Sequence, residues 1–336
     1  MVCVYSGRGQ DGGAVTTANY VARGFGVKSG MPITFAKEAL KGQEAVFLPV
    51  NHELYERISQ NIMDILRTYA TSFEQVSIDE AFLDVTQRVK GDFEAAARLA
   101  LEIKSEILAK ERLTCSIGIG PNKLIAKQAS DFQKPNGLTV VKPEEVKKFL
   151  YGLPVGKLYG VGKKTERILN ELGVKTVEDL AGYDTGRLTD LFGRKLGVYF
   201  HRAAQGLDDE PVQERQGVEQ MSRIATLKED TSDREVILAE VLRLSEEVYK
   251  RTVEENLNFG SVGIIAVMDD MSTHTKSRTL EIPGETAKAL SATAEKLLDA
   301  LLKEKGELKV RRIGVKVANL TAKGKQRVLH EFLNPS

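Results

Sequence analysis

The sequence has few of the features that mark secreted or membrane-spanning proteins. Its only two cysteines, Cys3 and Cys115, lie far apart in β-favouring runs, so we expect two buried thiols rather than a disulfide or a cysteine metal site. No uninterrupted apolar run is long enough to span a membrane, and Met1-Val-Cys-Val lacks the basic region and apolar core of a signal peptide. These absences predict a cytoplasmic protein with no membrane segment, in which carboxylates bind any metal.

The sequence also lacks an excess of charge of either sign. Its 48 Lys and Arg residues against 47 Asp and Glu residues give a net charge of +1, which alone does not indicate a nucleic-acid binder. In the last third, acids crowd the helical stretches, whereas basic residues fall in strand-like runs. A basic sheet backed by acidic helices would have a positive face despite the neutral total, and a mixed solvated surface is the alternative. The basic residues in these runs are Lys276, Arg278, Arg311, Arg312 and Lys316.

Two adjacent acids, Asp79 and Glu80, interrupt an apolar, β-favouring run between Phe73 and Val85. Neighbouring side chains on one continuous strand point to opposite faces, so these acids can share a ligand only if the strand turns here. A hairpin tip would achieve that, and Mg²⁺ prefers such hard oxygen ligands. From this stretch alone, an exposed Asp-Glu pair in a turn without a ligand is an equal alternative.

Three ordered motifs carry a resemblance to a known family. They are Ser77-Ile-Asp-Glu-Ala81, Cys115-Ser-Ile-Gly-Ile-Gly-Pro-Asn-Lys123-Leu-Ile-Ala-Lys127 and Gln133-Lys134-Pro-Asn-Gly137. With them the chain resembles the Y-family translesion DNA polymerases, most closely the archaeal polymerase IV type. The resemblance implies an error-prone nucleotidyltransferase of DNA repair and replication that adds dNTPs to the 3′-hydroxyl of primer-template DNA. It also implies that the enzyme acts as a monomer.

The resemblance implies roles for the two acids and for one lysine. Asp79 and Glu80 match the carboxylates that bind the two Mg²⁺ ions of a two-metal phosphoryl transfer. Lys134 matches a lysine that neutralises the triphosphate and can protonate the leaving pyrophosphate. Family members begin with an earlier strand that carries a further metal-binding Asp and the residue that excludes ribonucleotides, whereas Met1 here starts the family's second strand. We therefore expect this chain to extend primers poorly or not at all. The alternative is a catalytically impaired relic that only binds DNA. Primer extension compared with a version that carries the upstream residues tests the expectation.

The first fifty residues resemble the family's fingers. The pattern predicts a glycine-rich turn at Gly12-Gly13 leading into a short helix that ends near Gly24 or Gly26. The resemblance implies that Thr17, Tyr20 and Arg23 hold the incoming triphosphate. Tyr20 and Arg23 lie three residues apart, as expected of one helical face.

The middle of the chain alternates helices and strands and then becomes wholly helical. A helix at Phe93–Lys110, a strand at Leu113–Ile119 and a helix opening at Pro121-Asn122 fit a ferredoxin-like palm. Beyond Pro143 a Gly-Val-Gly turn joins two helices and resembles the helix-hairpin-helix of the family's thumb. Amides at such a turn can bind a DNA phosphate without reading a base. The DNA-binding residues implied here are Gly160, Gly162 and Lys163.

The last third predicts the order strand, helix, strand, strand, helix, strand. This βαββαβ pattern gives a four-stranded sheet with two helices on one face, and it resembles the family's little finger, which binds DNA. Lys276 and Arg278 are two residues apart and therefore share a strand face, a suitable position for phosphates. Arg311 and Arg312 are further candidates for DNA binding.

Gln326, Leu329 and Phe332 recur every three residues in the C-terminal tail. A single helical turn would bring Leu329 and Phe332 together as an apolar plug. The spacing resembles the peptide by which archaeal and eukaryotic replication proteins bind a PCNA-type sliding clamp. Leu333, where that motif commonly has a second aromatic residue, is a departure that should weaken binding, and a frayed terminus is the alternative.

We therefore predict a multidomain α+β protein. A non-catalytic DNA-binding protein and a nucleotidyl cyclase are the rival functions, although a cyclase needs neither the thumb hairpin nor the basic sheet. No further ordered carboxylate set suits a proofreading exonuclease, so low fidelity is expected. The predicted domains are fingers (1–50), a ferredoxin-like palm (51–142), a helix-hairpin-helix thumb (143–207), a linker (208–220), a βαββαβ little finger (221–319) and a tail (320–336).

Overall fold

The computed structural model describes residues 1–7, 13–214, 217–305 and 308–323. These residues form two compact units: one consists of residues 51–215, and the other combines residues 1–50 with residues 216 onwards. Gly12, at the predicted glycine-rich turn, lies outside the described ranges. Every helix within them is too short or too polar to cross a membrane.

Residues 1–50 form a small sheet with two short helices. Their elements are β1 (Val2–Gly7), β2 (Gly13–Ala18), α1 (Tyr20–Gly24), α2 (Ile33–Ala39) and β3 (Val46–Pro49). Strand β1 is central, antiparallel to β2 and parallel to β3. The predicted helix is partly wrong, because the β-branched residues 15–17 pair with β1 instead. The helix begins only at Tyr20, where the Asn19 side chain caps it by accepting a hydrogen bond from the Ala22 N–H.

Residues 51–142 combine long helices with short strand pairs. The elements are α3 (His52–Tyr69), β4 (Ser72–Gln75), β5 (Ala81–Asp84), α4 (Thr86–Val89), α5 (Phe93–Glu111), β6 (Ile117–Ile119), α6 (Lys123–Phe132) and β7 (Leu138–Val140). Strands β4 and β5 are antiparallel, whereas β6 and β7 are parallel. The strand predicted at Leu113–Ile119 is wrong at its start, because Arg112 ends α5 in the left-handed conformation (φ 56°) and Leu113 is exposed.

Residues 143–204 are helical, as predicted. A 3₁₀ turn at Pro143–Glu145 is followed by α7 (Val146–Tyr151), a 3₁₀ turn at Val155–Lys157, α8 (Lys163–Glu171), α9 (Val177–Ala181) and α10 (Thr185–Ala204). Their core includes the fully buried Leu150, Leu169 and Phe200. Helix α6 contributes Leu124 and Ile125 to the same core. Helix α6 therefore packs with the helices that follow it, while its polar face remains available to β4 and β5.

Residues 217–323 confirm the predicted βαββαβ order. The elements are β8 (Gln220–Thr231), α11 (Arg234–Glu254), β9 (Leu257–Met268), β10 (Thr273–Gly284), α12 (Ala287–Lys305) and β11 (Val310–Ala322). The strands form one antiparallel sheet in the order β10-β9-β11-β8. Ile264 on β9 lies opposite Val315 on β11, and both are fully buried with Leu244 and Leu298 from the helices. The apolar face of the sheet therefore packs against α11 and α12.

Candidate active site

The two adjacent acids lie at the tip of the β4–β5 hairpin, in the connection formed by residues 76–80. The Glu80 carbonyl accepts hydrogen bonds from the Val76 N–H at 2.9 Å and from the Ser77 N–H at 3.1 Å, which closes the turn. Asp79 is exposed, and its carboxylate accepts a 2.7 Å hydrogen bond from the Ser77 hydroxyl. The prediction that the chain turns at these acids is confirmed.

A series of ion pairs begins at Glu80 and continues along α6. Lys127 Nζ lies 2.5 Å from Glu80 Oε1 and 3.1 Å from Asp131 Oδ2. Asp131 Oδ1 lies 2.5 Å from Lys134 Nζ. We call these four residues the ion-pair chain. It joins two of the predicted catalytic residues, Glu80 and Lys134, through two residues to which the sequence analysis gave no role.

Two members of the ion-pair chain, Lys127 and Asp131, have pKa shifts that favour their charged forms. Burial alone would raise the pKa of the Asp131 carboxyl, but hydrogen bonds from Lys134 and Lys127 outweigh burial and lower that pKa. Burial alone would lower the pKa of Lys127, but hydrogen bonds to Glu80 and Asp131 raise it overall. Lys127 and Asp131 are therefore both charged at neutral pH.

The N-terminal end of α6 is tied to β4 by a second polar contact. Lys123 Nζ lies 2.9 Å from the carboxylate of Glu74, which is only 4% exposed. Burial lowers the pKa of Lys123, but the hydrogen bond to Glu74 helps to raise it above its ordinary value. The Leu124 N–H donates a 3.0 Å hydrogen bond to the Asp208 carboxylate, an acid at a helix N-terminus. These contacts hold α6 in a defined position beside the acidic hairpin.

The loop that carries Lys134 is held from the other side by Lys104 on α5. The Lys104 ammonium donates to the Cys115 carbonyl at 2.5 Å, the Asn136 carbonyl at 3.0 Å and the Asn136 side-chain oxygen at 2.6 Å. The ammonium also donates to the Gly137 carbonyl at 3.4 Å, so four oxygens share the three N–H donors of this lysine. The Gly137 N–H also donates to the Ser116 hydroxyl at 3.2 Å. The backbone just beyond Lys134 is thus fixed by a side chain from a different element.

The hairpin tip presents carboxylates, ligands of the kind that Mg²⁺ prefers. Within residues 1–7, 13–214, 217–305 and 308–323, no three His, Cys, Asp or Glu side chains are grouped as a metal site. Asp79 and Glu80 nevertheless fit Mg²⁺, which often takes one or two carboxylates and completes its shell with water and substrate phosphates. The exposure of Asp79 leaves its second oxygen accessible for such a ligand.

Thr17, Tyr20 and Arg23 lie together in the unit that contains residues 1–50. The Arg23 guanidinium donates to the Ala18 carbonyl at 2.9 Å and to the Thr17 hydroxyl at 3.4 Å. It also lies 5.5 Å from the centre of the Tyr20 ring, a cation–π distance. Tyr20 is 53% exposed, so these side chains form an accessible polar and aromatic surface.

The Gly-Val-Gly turn begins α8 as predicted. Gly160 has φ +88°, which favours glycine, and a Cβ there would lie 2.7 Å from the Tyr199 ring. Gly162 is the N-cap residue of α8, and Lys163 is almost fully exposed. The Tyr199 hydroxyl donates a 2.9 Å hydrogen bond to the Tyr159 carbonyl, and burial raises its pKa to about 12. The turn therefore keeps one backbone conformation with its second glycine exposed.

The basic residues of the C-terminal sheet do not share one face. Lys276 and Arg278 lie opposite the buried Ile264 and Val262, so both side chains are on the side of the sheet that faces the helices. Lys276 Nζ forms an ion pair with Glu304 of α12 at 2.6 Å. The prediction that the two residues share a strand face is confirmed, but the prediction of a single basic face is wrong.

Other basic residues lie on the face of the sheet that carries no helix. Positions 313, 315 and 317 of β11 are buried against the helices, so Arg312 and Lys316 point to the opposite side. Arg311 is half-buried at the irregularity in β11 and lies 3.4 Å from Asp230. Alternation in the sequence could separate the two faces of each strand, but it could not show which face the helices cover.

The residues predicted to bind a sliding clamp, Gln326, Leu329 and Phe332, lie outside the described residues.

Some site residues were not predicted from the sequence. Lys127 and Asp131 could have been recognised, because Lys127, Asp131 and Lys134 follow one another at spacings of four and three residues, as ion pairs on one helical face do. Lys104 could not be recognised in this way, because its partners are backbone and amide oxygens 11 to 33 residues away.

Comparison with family models covers most of the chain. Residues 1–131 match the impB/mucB/samB family, and residues 218–329 match the C-terminal domain of that family. Residues 156–208 match the model described as DNA polymerase-iota, thumb domain.

Curated proteins similar to this chain carry the name DNA polymerase IV. One from Methanosarcina acetivorans is 46% identical over 99% of this chain and 92% of its own length. Another, from Nitrosopumilus maritimus, is 47% identical over 98% of this chain and 91% of its own.

Similar solved structures are Y-family polymerases. The Y-family DNA polymerase chimera Dbh-Dpo4(243-245)-Dbh is 38% identical and covers 96% of this chain and 91% of its own, with a TM-score of 0.89. The insertion ternary complex of Dbh DNA polymerase is also 38% identical with the same coverage, and its TM-score is 0.65.

Proposed function

This chain belongs to the Y family of DNA polymerases, in the DNA polymerase IV group, and we propose that it extends primers by a two-metal phosphoryl transfer with Mg²⁺. It is a translesion DNA-directed DNA polymerase, and the multidomain α+β fold expected from the sequence is confirmed by its structural neighbours. Polymerases of this family depend on a metal. One observation carries the assignment of the site: the ion-pair chain, which links a carboxylate at the hairpin tip to Lys134.

We propose that Asp79 and Glu80 hold the metal ions and that Lys134 contacts the triphosphate. Bound Mg²⁺ would lower the pKa of the primer hydroxyl and neutralise charge on the leaving group. Lys134 is 41% exposed and lies 2.5 Å from Asp131, so its ammonium is accessible to bind a phosphate oxygen and supply a proton to departing pyrophosphate. Lys127 holds Glu80 by an ion pair, which restricts the rotamers of that carboxylate.

We propose that the remaining surfaces bind the nucleotide and the duplex. Thr17, Tyr20 and Arg23 supply a hydroxyl, an aromatic ring and a guanidinium fork suited to a triphosphate. The turn at Gly160–Lys163 and the basic side chains of the C-terminal sheet suit DNA phosphates, and the insertion ternary complex is of a relative bound to substrates. Binding of a PCNA-type clamp by Gln326, Leu329 and Phe332, action as a monomer and a cytoplasmic location stay predictions.

The proposal is tested by removing the charge of each acid without changing its shape. Asp79→Asn and Glu80→Gln should each abolish primer extension, while affinity for primer-template DNA and the melting temperature stay nearly unchanged. The matched control is Asp84→Asn, on β5 of the same hairpin, where the side chain accepts a 2.8 Å hydrogen bond from the Thr86 N–H.

Primer extension is first measured for the unaltered chain, which provides the baseline. Normal extension by Glu80→Gln would remove the acid from the metal site. A large fall in melting temperature in either variant would favour a purely structural turn.

A further inference from the structure

Gln128 on α6 is a buried polar residue to which the polymerase chemistry above gives no role. It is 8% exposed and follows Lys127 directly. Its amide nitrogen donates a 3.0 Å hydrogen bond to the Lys157 carbonyl, and its amide oxygen accepts a 3.1 Å hydrogen bond from the Tyr159 N–H. One side chain therefore satisfies two backbone groups just before the Gly-Val-Gly turn.

This pair of bonds fixes the direction of the turn as well as its distance from α6. A planar amide that donates to one residue and accepts from the residue two positions later restrains the backbone in the way a neighbouring strand does. The Tyr159 carbonyl is bound in turn by the Tyr199 hydroxyl. Both backbone polar groups of Tyr159 are thus held by side chains from other elements.

Helix α6 therefore contacts the catalytic hairpin and the thumb turn through consecutive residues. Successive side chains on an α-helix point about 100° apart, since one turn takes 3.6 residues. Lys127 reaches Glu80 on one side, while Gln128 reaches the backbone of residues 157–159 on another. Helix α6 also shares one hydrophobic core with α8 and α10, which packs it against both helices between these two contacts.

We propose that Gln128 is a positioning residue that ties the DNA-binding turn of the thumb to the helix beside the catalytic carboxylates. A duplex held at that turn is then kept at a fixed distance from Glu80, so a primer end arrives in position without rearrangement of the thumb. The inference rests on the proposed function, in which the Gly160–Lys163 turn binds DNA phosphates.

The test is Gln128→Leu, which keeps the volume but removes both bonds. Loss of two hydrogen bonds that order the binding site should raise the dissociation constant for primer-template DNA about tenfold. At saturating DNA, kcat and the KM for dNTP should stay within about twofold, because Lys127 and Glu80 are untouched. Exchange of the Tyr159 amide proton should become faster. The matched control is Gln87→Leu, the same chemical change at an exposed position of α4.

Gln128→Glu provides a second variant that keeps the acceptor and serves as the test if Gln128→Leu does not fold. Its carboxylate can still accept from the Tyr159 N–H but repels the Lys157 carbonyl oxygen, so a rise in the dissociation constant at least as large as that of Gln128→Leu is expected. Unchanged DNA affinity in both variants would overturn the inference. So would an equal loss of DNA affinity and kcat, because that result indicates a general structural role.

Gly162→Ala separates this inference from the proposed function. A Cβ at Gly162 meets nothing within 4 Å, and its φ of −83° suits alanine, so the variant should fold but obstruct a phosphate. Weaker DNA binding by Gly162→Ala with normal binding by Gln128→Leu overturns the Gln128 role alone. Normal DNA binding by Gly162→Ala overturns the DNA role of the turn and the inference with it.

Discussion

The C-terminal βαββαβ region and the surroundings of α6 are built by different physical means. In the first, apolar residues on alternate strand positions meet the apolar stripes of α11 and α12, and their burial is non-directional. Around α6, the buried Glu74 and Gln128 are held by hydrogen bonds to partners 29 to 139 residues away. Apolar burial tolerates substitutions of similar volume, whereas these contacts require particular atoms at particular distances. The proposed catalytic groups belong to the second kind of structure.

Two of the three buried polar side chains among the described residues of the C-terminal region are satisfied locally instead, whereas the third, Asn258, donates to Glu285, 27 residues away. The Ser245 hydroxyl donates to the Val241 carbonyl of its own helix, and the Thr252 hydroxyl donates to the Tyr249 carbonyl. Such bonds form wherever the helix forms. The comparison therefore predicts that core substitutions chiefly change stability in one region, while polar substitutions chiefly change activity in the other.

The largest expected effect is on stability, for Ile264→Ala in β9. Ile264 is fully buried, and deleting its side chain should reduce the free energy of unfolding of the C-terminal region by about 2–5 kcal/mol. The control is Ile265→Ala, the next residue, which is half-buried on the face without helices and should cost about 1 kcal/mol. Urea unfolding, with hydrogen exchange of β9 amides to identify the transition, measures both. Equal losses would mean that the two faces of the sheet contribute alike.

Lys127→Met tests the polar surroundings of α6, where activity rather than stability should change. It removes the cation between Glu80 and Asp131, and by analogy with other preorganised charges near a reacting group kcat should fall roughly a hundredfold. Stability should change by only about 1 kcal/mol, because both carboxylates are partly exposed. Lys110→Met, which removes a 2.6 Å ion pair with Glu106 on α5, is the control and should leave kcat unchanged. If both variants lose the same stability and Lys127→Met retains full kcat, the ion-pair chain is only structural.

The same contrast explains how much could be predicted from the sequence. Period-two and period-3.6 patterns indicated the whole βαββαβ order, because local periodicity records which residues face a core. The turn at Asp79-Glu80 was also predictable, since adjacent acids can share one ligand only if the strand turns between them. Gln128 and Lys104 were not predictable, because their partners are backbone atoms and one side-chain amide oxygen that only the folded chain brings near.

A smaller loss of activity than that of Lys127→Met is expected for Lys104→Met, because Lys104 acts only through the loop that carries Lys134. Losing the three hydrogen bonds to Asn136 and Gly137 of the loop should reduce kcat/KM for dNTP about tenfold, roughly 1.4 kcal/mol of transition-state stabilisation. The double variant with Lys134→Met should be no worse than Lys134→Met alone, since the lysine being positioned is then absent. Additive losses would show that Lys104 does not act through Lys134, and an active Lys134→Met would remove that lysine from the site instead.

The smallest expected effect is on the salt dependence of DNA binding, for basic residues of the C-terminal sheet. Arg312 is exposed on the sheet face without helices, whereas the Lys276 ammonium is already paired with Glu304 on the helix side. In a log-log plot of DNA affinity against salt, the slope should fall by about 0.9 for each phosphate that the protein no longer neutralises. Arg312→Ala should therefore flatten the slope by about this amount on every duplex sequence, and Lys276→Ala should flatten it less. If Lys276→Ala has the larger effect, DNA binds along the sheet edge beside α12, and the helix-free face is not the one that touches the duplex.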